Sequence, residues 1–574
     1  MGNIETFLTW VKRFEWWIVG ALAFLASILG YIGFRLHYAT LGVEAPPLDL
    51  IYGVFQLFSV ANPVSAEGAT VLSAPNAFIQ IARYLAPGTV AYSVIRLVAA
   101  AVTDAASKLS VASLEGHAVV CGLTDRGKAI ARSLLTEGHT VVVVENDTKN
   151  PYLGELKAAG VKVIYGSPLD KIVLKSGRVQ TASKIAVMAA DERENYGVAS
   201  KCVELIEEQR RKNEPGRETQ IRALAGPDFS DFFKDAKPFG TSTSVADARF
   251  FDPDITAARQ IAMDASLANF ENFFDNHRQP KILIVGEGRF SASLISMAIK
   301  QLQYPHCGVP TIDFMSPDLN QFLEEFPHSH PQLSLVSAVS FHEKSRGALL
   351  SDELGLVDRT SGRLYDLAIV ALDDPFASIK FARRLNQQAL IAATSDDSAR
   401  MDHVVCIKPS VSFPTVRPDL PIYEYGRFFN VTEIGCSSSS VFDEEIDAEA
   451  RKAHESYLMH IKNRQYDPSK PATAPWPELK EEYKAANRRT IDHDRIKRDA
   501  LARDSSCEMI EALAEAEHRS WMADKIIAGW RFGPCRDDVN KLHPSLVAYG
   551  DLSVSEKQKD VEKVNRLIAL EQRN

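Results

Sequence analysis

The most informative chemistry in the chain sits in HAVVCGLTDRGKAIARSLL. Here Gly122, Thr124 and Gly127 take the three positions of a G-x-G-x-x-G loop that opens a helical run from Arg126 to Leu135. Such a loop sets backbone N–H groups, and the partial positive charge of a helix N-terminus, against a phosphate. Gly122 permits the tight turn, and Gly127 lets the helix pack close to the preceding strand. The β-branched run Thr140–Val144 ends in Glu145, roughly 20 residues beyond the glycines, where a carboxylate can accept hydrogen bonds from a ribose diol. Thr124 replaces the second glycine, where backbone must approach phosphate; its side chain either crowds a ligand or hydrogen-bonds it. This is binding chemistry.

These residues need strands and helices to hold them, and the sequence supplies a wave of both. His117–Cys121, Thr140–Val144, Val161–Tyr165, Lys184–Met188 and Thr219–Leu224 read as strands separated by helical runs. That alternation predicts a Rossmann-type parallel sheet. The fourth strand ends in Ala189-Ala190-Asp191, with Asn195 a turn later; Asp191 reads either as a ligand contact or as a helix N-cap. Ala257–Asn276 reads as a helical connector. The pattern then begins again in PKILIVGEGRFSASLISMAIK, where Gly286, Gly288 and Ser291 repeat the fingerprint positions. Strands are expected at Lys281–Val285, Thr311–Met315, Leu367–Leu372 and Leu390–Ala393. Ser316, Pro317 and Asp318 follow the second strand of this copy instead of a direct terminal acid. A structural copy packed on the first is therefore the favoured expectation. Cys436 and Ser437–Ser440 read as a polar break, a helix is expected from about Asp443, and Gln465–Pro477 as a linker.

Upstream, Trp16–Leu36 is an apolar run with only Arg35 charged, at its end, long enough to span a bilayer. Its length and the second apolar segment, Ala77–Val102, argue against a signal peptide. Leu48–Val60 between them is too short to span and reads as a re-entrant helix. Pro87 is a candidate kink. Lys12, Arg13 and Lys108 flank the spans and put both termini in the cytoplasm. Arg83 and Arg96 fall inside the second segment, and Arg96 either lines a conduit or snorkels. The chain has 574 residues, net charge −9 and mean hydropathy −0.12, which bounds it to several domains and argues against a broad nucleic-acid surface. Its 7 cysteines are dispersed, with no C-x-x-C pair, and read as reduced thiols; no metal-ligand spacing is present.

Residues Gly116 to Leu224 resemble the RCK/TrkA-N regulatory domain of potassium channels and transporters, through VVCGLTDRGKAIA, Glu145, VIYGSPLD and AADERENYGVA. The resemblance implies NAD(H), ATP or another adenine nucleotide as ligand. It implies a site lined by Gly122, Leu123, Thr124, Asp125, Arg126, Gly127, Glu145, Asn146, Asp147, Asp191 and Asn195. The last 70 or so residues resemble a ryanodine-receptor repeat (RyR) domain. The match runs through Glu517-His518, Trp521, Gly529-Trp530, Phe532-Gly533, His543-Pro544, Tyr549, Lys557 and Asp560, with Phe532 and Ala548 departing from the usual Tyr and Pro. His518, Trp521, Trp530, His543 and Tyr549 read either as an aromatic ligand pocket or, the favoured bland alternative, as a small core. His518 with Glu515 and Glu517 offers no nucleophile or ligand set, so a catalytic site is not expected.

The expected class is α/β: a two-helix transmembrane region followed by tandem Rossmann-type units and a small, mainly helical RyR domain. The expected boundaries are 1–110, 116–250, a connector at 251–279, 280–430, a helical region and linker at 431–504, and 505–574. The expected function is a ligand-gated, channel-like homo-oligomer (tetramer or dimer) in the cell membrane, passing a monovalent cation, potassium by resemblance, under nucleotide control. FQLFSV is followed by ANPVSAEG in place of a TVGYG-like filter strand, so a membrane-tethered nucleotide sensor stays open as a second reading. An NAD-dependent oxidoreductase ranks last, since neither unit precedes a visible substrate domain with a proton donor.

Overall fold

The structure, a computed structural model, describes residues 2–59, 76–211, 219–233, 236, 239, 246–268, 274, 279–319, 326, 330–349, 365–393, 402–407, 427–442, 447–462, 471–476 and 479–571. The chain divides into two compact units, Met1–Ser110 and Val111–Asn574.

The first unit is helical: α1 (Gly2–Thr40), α2 (Pro47–Phe58) and the start of α3 (Ala77–Val111). Within α1, Glu15–Thr40 has a mean hydropathy of 2.0 and is long and apolar enough to cross a membrane. Trp17 and Phe24 are exposed on it, as lipid-facing residues would be. Pro47 opens α2 at a position where a missing N–H costs nothing. Phe34, Leu50, Val54, Leu57, Ile79 and Ala82 form the core of this unit. Gly33 is what lets α1 and α3 meet, because a Cβ there would lie 2.6 Å from Ile79 Cγ1. Arg96 donates from Nε and Nη2 to the Glu15 carboxylate at 2.5 and 2.9 Å, and the Tyr92 hydroxyl donates to it at 2.5 Å. The arginine therefore has a counter-charge just before Trp16-Trp17, the end of the apolar run. The helix continues through Pro87. Residues 60–75, which hold ANPVSAEG, lie outside the described residues.

The second unit contains two parallel six-stranded sheets. The first runs β1 (Ala118–Cys121), α4 (Asp125–Thr136), β2 (Val141–Glu145), α5 (Leu153–Ala158), β3 (Lys162–Tyr165), α6 (Lys171–Ser176), β4 (Lys184–Val187), α7 (Glu192–Arg210), β5 (Thr219–Leu224), α8 (Pro227–Phe233) and β6 (Ala246–Phe251). Its order is β3-β2-β1-β4-β5-β6, with Val119 beside Val142 and Ile185. β1 and β2 are buried along their whole length, which is why they read as unbroken apolar runs and not as alternating ones.

Helix α9 (Pro253–Ala268) leads to the second sheet: β7 (Lys281–Gly286), α10 (Gly288–Gln301), β8 (Thr311–Ser316), β9 (Ala338–Glu343), β10 (Leu367–Ala371), α11 (Pro375–Ala393), β11 (Asp402–Ile407) and β12 (Arg427–Asn430). Its order, β12-β11-β10-β7-β8-β9, is the first sheet's order read from the other edge. Both are the doubly wound 3-2-1-4-5-6 arrangement. One expectation fails here: Leu390–Ala393 ends helix α11, and the strand is Asp402–Ile407. A four-residue apolar run does not by itself distinguish strand from buried helix.

The stretch read as a polar break is a strap. Short helices α12 (Val431–Gly435) and α13 (Ser438–Val441) lie back on the first sheet's helices, and Cys436, Val441 and Phe442 enter its core. Arg222 of β5 fixes the strap by donating from Nε to Val441 O at 3.1 Å. The serines are consumed locally: Ser437 caps α13, and Ser438 N donates to Ser133 Oγ at 2.8 Å. Helices α14 (Ala448–Lys462), α15 (Glu481–Arg503), α16 (Cys507–Ile527) and α17 (Val554–Glu571) complete the chain, with a two-stranded β13–β14 pair (Arg531–Phe532 and Leu542–His543). Ile496, Leu513, Met522, Trp530 and Leu546 belong to one continuous core with Ile282, Phe290 and Phe314 of the second sheet. The C-terminal helices are thus packed on the second Rossmann-type unit through a shared core.

Candidate nucleotide-binding site

The site is built where the first sheet changes direction, between the carboxyl ends of β1 and β4, the crevice in which open parallel sheets bind ligands. Gly122 has φ +89°, and a Cβ there would lie 2.9 Å from Ala189 N. A Cβ on Gly127 would lie 2.3 Å from Gly122 O. Both positions therefore exclude a side chain on steric grounds, one by conformation and contact, the other by contact alone. Thr124 caps α4: its hydroxyl accepts from Gly127 N at 3.2 Å and donates to Met188 O at 3.1 Å. The side chain standing at the second glycine position is thus bonded back to the loop and the end of β4. An α-helix leaves its first amides without intrahelical partners; Thr124 takes that of Gly127, which leaves those of Asp125 and Arg126 for a ligand.

Glu145 ends β2 with 8% of its surface exposed. One carboxylate oxygen accepts from Leu123 N at 2.8 Å and from Asn150 Nδ2 at 3.3 Å; the other accepts from Asp147 N at 2.8 Å. A carboxylate has about four acceptor sites, so roughly one stays open for a ribose hydroxyl. Asn150 also donates to Leu123 O at 2.8 Å, tying the glycine loop to the loop after β2. Sequence reasoning missed Asn150; its signal is an Asx residue following the terminal acid. Asn146 and Asp147 are exposed on that same loop.

The other positions divide. Asp125 is exposed and accepts from the Tyr152 hydroxyl. Arg126 donates from Nη2 to both oxygens of Asp254 at 2.9 Å, reaching the first turn of α9. Asp191 caps α7 and pairs with Arg193, whose guanidinium and backbone N–H draw its pKa down to about 2. Asn195 is fully buried and turned into the fold, bonded to Ala189 N, Ala189 O and Leu224 O at 2.8–2.9 Å. It clips the ends of β4 and β5 together.

The second copy is arranged differently. Gly288 has φ +69° and lies at the head of α10, but the residue before it, Glu287, presents a carboxylate at the helix N-terminus. That carboxylate pairs with Arg346 at 2.7 Å and accepts from Asp373 N at 3.4 Å. A fixed negative charge there opposes a phosphate. Ser291 is fully buried, and its hydroxyl stands 2.2 Å from where a Cβ on Gly286 would be.

In the C-terminal module the five aromatic positions converge. His518 stacks on Trp521 at 5.5 Å, His543 meets Trp521 and Trp530 edge-on at 4.9 and 6.2 Å, and Tyr549 lies 5.9 Å from His518. His518 Nε2 donates to Val547 O at 3.0 Å, and Tyr549 donates to Glu511 at 3.0 Å, so these two polar groups of the cluster are bonded within the fold. Glu517, passed over in the sequence as His518's neighbour, is fully buried. It is contacted by Arg489 at 2.9 Å, Lys497 at 2.8 Å, His493 at 3.1 Å and Lys563 at 3.4 Å. Burial opposes its ionisation, yet Arg489, Lys497 and Lys563, with the hydrogen bond from His493, hold its pKa well below the usual carboxylate range. Among the described residues no group of three His, Cys, Asp or Glu side chains is placed to hold a metal ion.

Comparison with known structures finds similarity to GsuK bound to ADP (16% identity over 76% of this chain and 99% of that one, TM-score 0.38). It also finds the GsuK channel bound to NAD (13%, 78% and 85%, TM-score 0.37) and the human SLO3 gating ring (10%, 62% and 84%, TM-score 0.33). The TrkA-N domain family matches residues 118–212, and the RyR domain family matches residues 500–572. The chain carries a TrkA-N domain, which holds the glycine loop, Glu145, Asp191 and Asn195, and a RyR domain, which holds the aromatic cluster.

Proposed function

We propose that this chain is a nucleotide-regulated, channel-like membrane protein for a monovalent cation, potassium foremost. The carrying observation is the Gly122–Gly127 loop and Glu145 carboxylate at the β1/β4 crossover, a built cradle for an adenine nucleotide such as ADP, ATP or NAD(H). In this reading α1 and α3 span the membrane twice, α2 enters without crossing, and both termini are cytoplasmic, as Lys12, Arg13 and Lys108 favour. The domains follow the boundaries expected from the sequence, and Gly122–Gly127, Glu145–Asp147 and Asp191 line the site. Copies of the chain, four or two, enclose the conduit. Nucleotide that prefers one arrangement of the cytoplasmic part shifts the gate by its difference in affinity between the two states. The chain is not an enzyme in this account; its chemistry is binding.

A second reading has one observation in its favour. ANPVSAEG follows FQLFSV where a filter strand would stand, so a tethered nucleotide sensor acting on a separate transporter accounts for the same cradle. The test common to both is mass spectrometry of nucleotide co-purifying with the full chain in detergent, wild type against Gly127→Trp. The expected result is an adenine nucleotide on the wild type that the variant lacks. Equal nucleotide content in the two would remove the site from this loop.

A further inference from the structure

A doubly wound sheet binds a dinucleotide in two halves, one over β1–β3 and the other over β4–β6. In this chain the second half already carries a side chain. Arg289, from the glycine loop of the second Rossmann-type unit, lies across the carboxyl ends of all three strands of that half. After β4 it donates from Nη1 to Glu192 Oε1 at 3.1 Å. After β5 its Nη2 lies 1.2 Å from where a Cβ on Gly226 would be, so the guanidinium occupies the space above that glycine. After β6 it pairs with Asp252 at 3.6 Å. Glu192 Oε1 also accepts from Gly226 N at 2.8 Å, which fixes the acid that holds the arginine. Asp252 is held in turn by capping α9, accepting from Asp254 N at 2.8 Å. The cradle over β1–β3, with Glu145 and the free amides of α4, is not covered by Arg289.

We infer that Arg289 is a specificity-determining residue: it closes the second half of the crevice, so that the site takes an adenine mononucleotide diphosphate or triphosphate in preference to a dinucleotide. This rests on the nucleotide reading above and deepens it. A dinucleotide enters only by displacing Arg289 from Glu192 and Asp252, and hence by loosening the contact between the two Rossmann-type units. The second unit's glycine loop, which presents Glu287 instead of a phosphate cradle, acquires a role as the bearer of this plug.

The sign of the effect separates this from an ordinary phosphate contact. If Arg289 touched ligand phosphate, its loss would remove a positive charge and weaken both classes of ligand. If it is a plug, its loss strengthens the dinucleotide selectively. The experiment is titration of ADP and of NAD into the full chain in detergent, for wild type, Arg289→Ala and Arg289→Lys. The proposal expects Arg289→Ala to tighten NAD about tenfold, with ADP changed less than about threefold. Arg289→Lys, which keeps charge and most of the bulk, should stay near the wild-type ratio. ADP binding with an unchanged NAD-to-ADP ratio in Arg289→Ala, or weaker binding of both, overturns the plug while leaving the site intact. Failure of both nucleotides to bind any of the three proteins overturns the nucleotide reading and the plug with it. Tryptophan fluorescence melts of the variants at the wild-type midpoint check that the exposed Arg289 side chain is not needed for folding.

Discussion

Glu145→Gln is close to isosteric, yet the structure makes it a severe test. Both carboxylate oxygens of Glu145 accept backbone N–H groups, from Leu123 on one side and Asp147 on the other, each at 2.8 Å. Glutamine has a single acceptor oxygen. Its NH2 must face one of those two N–H groups, donor against donor, in a position only 8% exposed. The change removes a charge-assisted hydrogen bond, worth about 1.5–3 kcal/mol, and strands a buried donor at about 1–3 kcal/mol. Allowing for relaxation of the loop, stability should fall by about 2–4 kcal/mol. Nucleotide affinity should fall further than stability alone explains. The remaining oxygen cannot serve backbone and ribose together, and a loss of about 1.4–2.8 kcal/mol is roughly 10–100-fold in Kd. Thermal unfolding of the full chain in detergent reads the first effect, and calorimetric titration with ADP at a temperature well below the melt reads the second. Wild-type melting together with wild-type ADP affinity would refute the placement of this carboxylate at the centre of the site.

Gly127→Ala puts a methyl 2.3 Å from Gly122 O, a backbone atom that cannot swing aside, so α4 must shift; overpacking of this kind costs about 1–3 kcal/mol, and ADP binding should weaken with it. Glu517→Gln leaves buried Arg489 and Lys497 without their shared counter-charge, and unfolding titration should show a loss on the order of 3–5 kcal/mol. The same cluster sets a pH dependence. Burial pushes the His493 pKa below the ordinary histidine value of 6.5, against the pull of Glu517, so the folded chain holds a proton on this ring less readily than the unfolded chain does. Stability from this group is therefore full above that value and is lost as pH falls below it. Melts from about pH 7.5 to about pH 5.5 should show a falling midpoint, with the slope reduced in His493→Gln. Glu517, whose folded pKa is depressed, adds its own loss only below the usual carboxylate range.

What was legible in the sequence was local. The strands β1 and β2 announce themselves because both faces are buried and every residue is apolar, and the loop between them because only glycine fits at Gly122 and Gly127. Glu145 follows from its place at the end of a strand. What was not legible depends on partners far away in the chain. Ser437–Ser440 reads as a break because hydroxyls are hydrophilic; it is a strap because Arg222 and Ser133, hundreds of residues earlier, wait to receive it. Leu390–Ala393 looks like a strand because a short apolar run carries no period. Glu517 reads in the sequence only as no part of a ligand set; its burial among charges emerges once Arg489, His493 and Lys497 of α15 are folded against it. Asn195 is fully buried and bonded to the ends of β4 and β5, contacts that no local pattern announces.

The measurement that bears most directly on the whole account is cation flux through the full chain reconstituted in liposomes under a potassium gradient. With ADP or NAD(H) added on the side that carries the Rossmann-type units, the account predicts a flux that changes with nucleotide and loses that dependence in Glu145→Gln. Liposomes that stay tight to potassium with every nucleotide tested, while the protein binds ADP, would contradict the channel and leave the tethered sensor in its place.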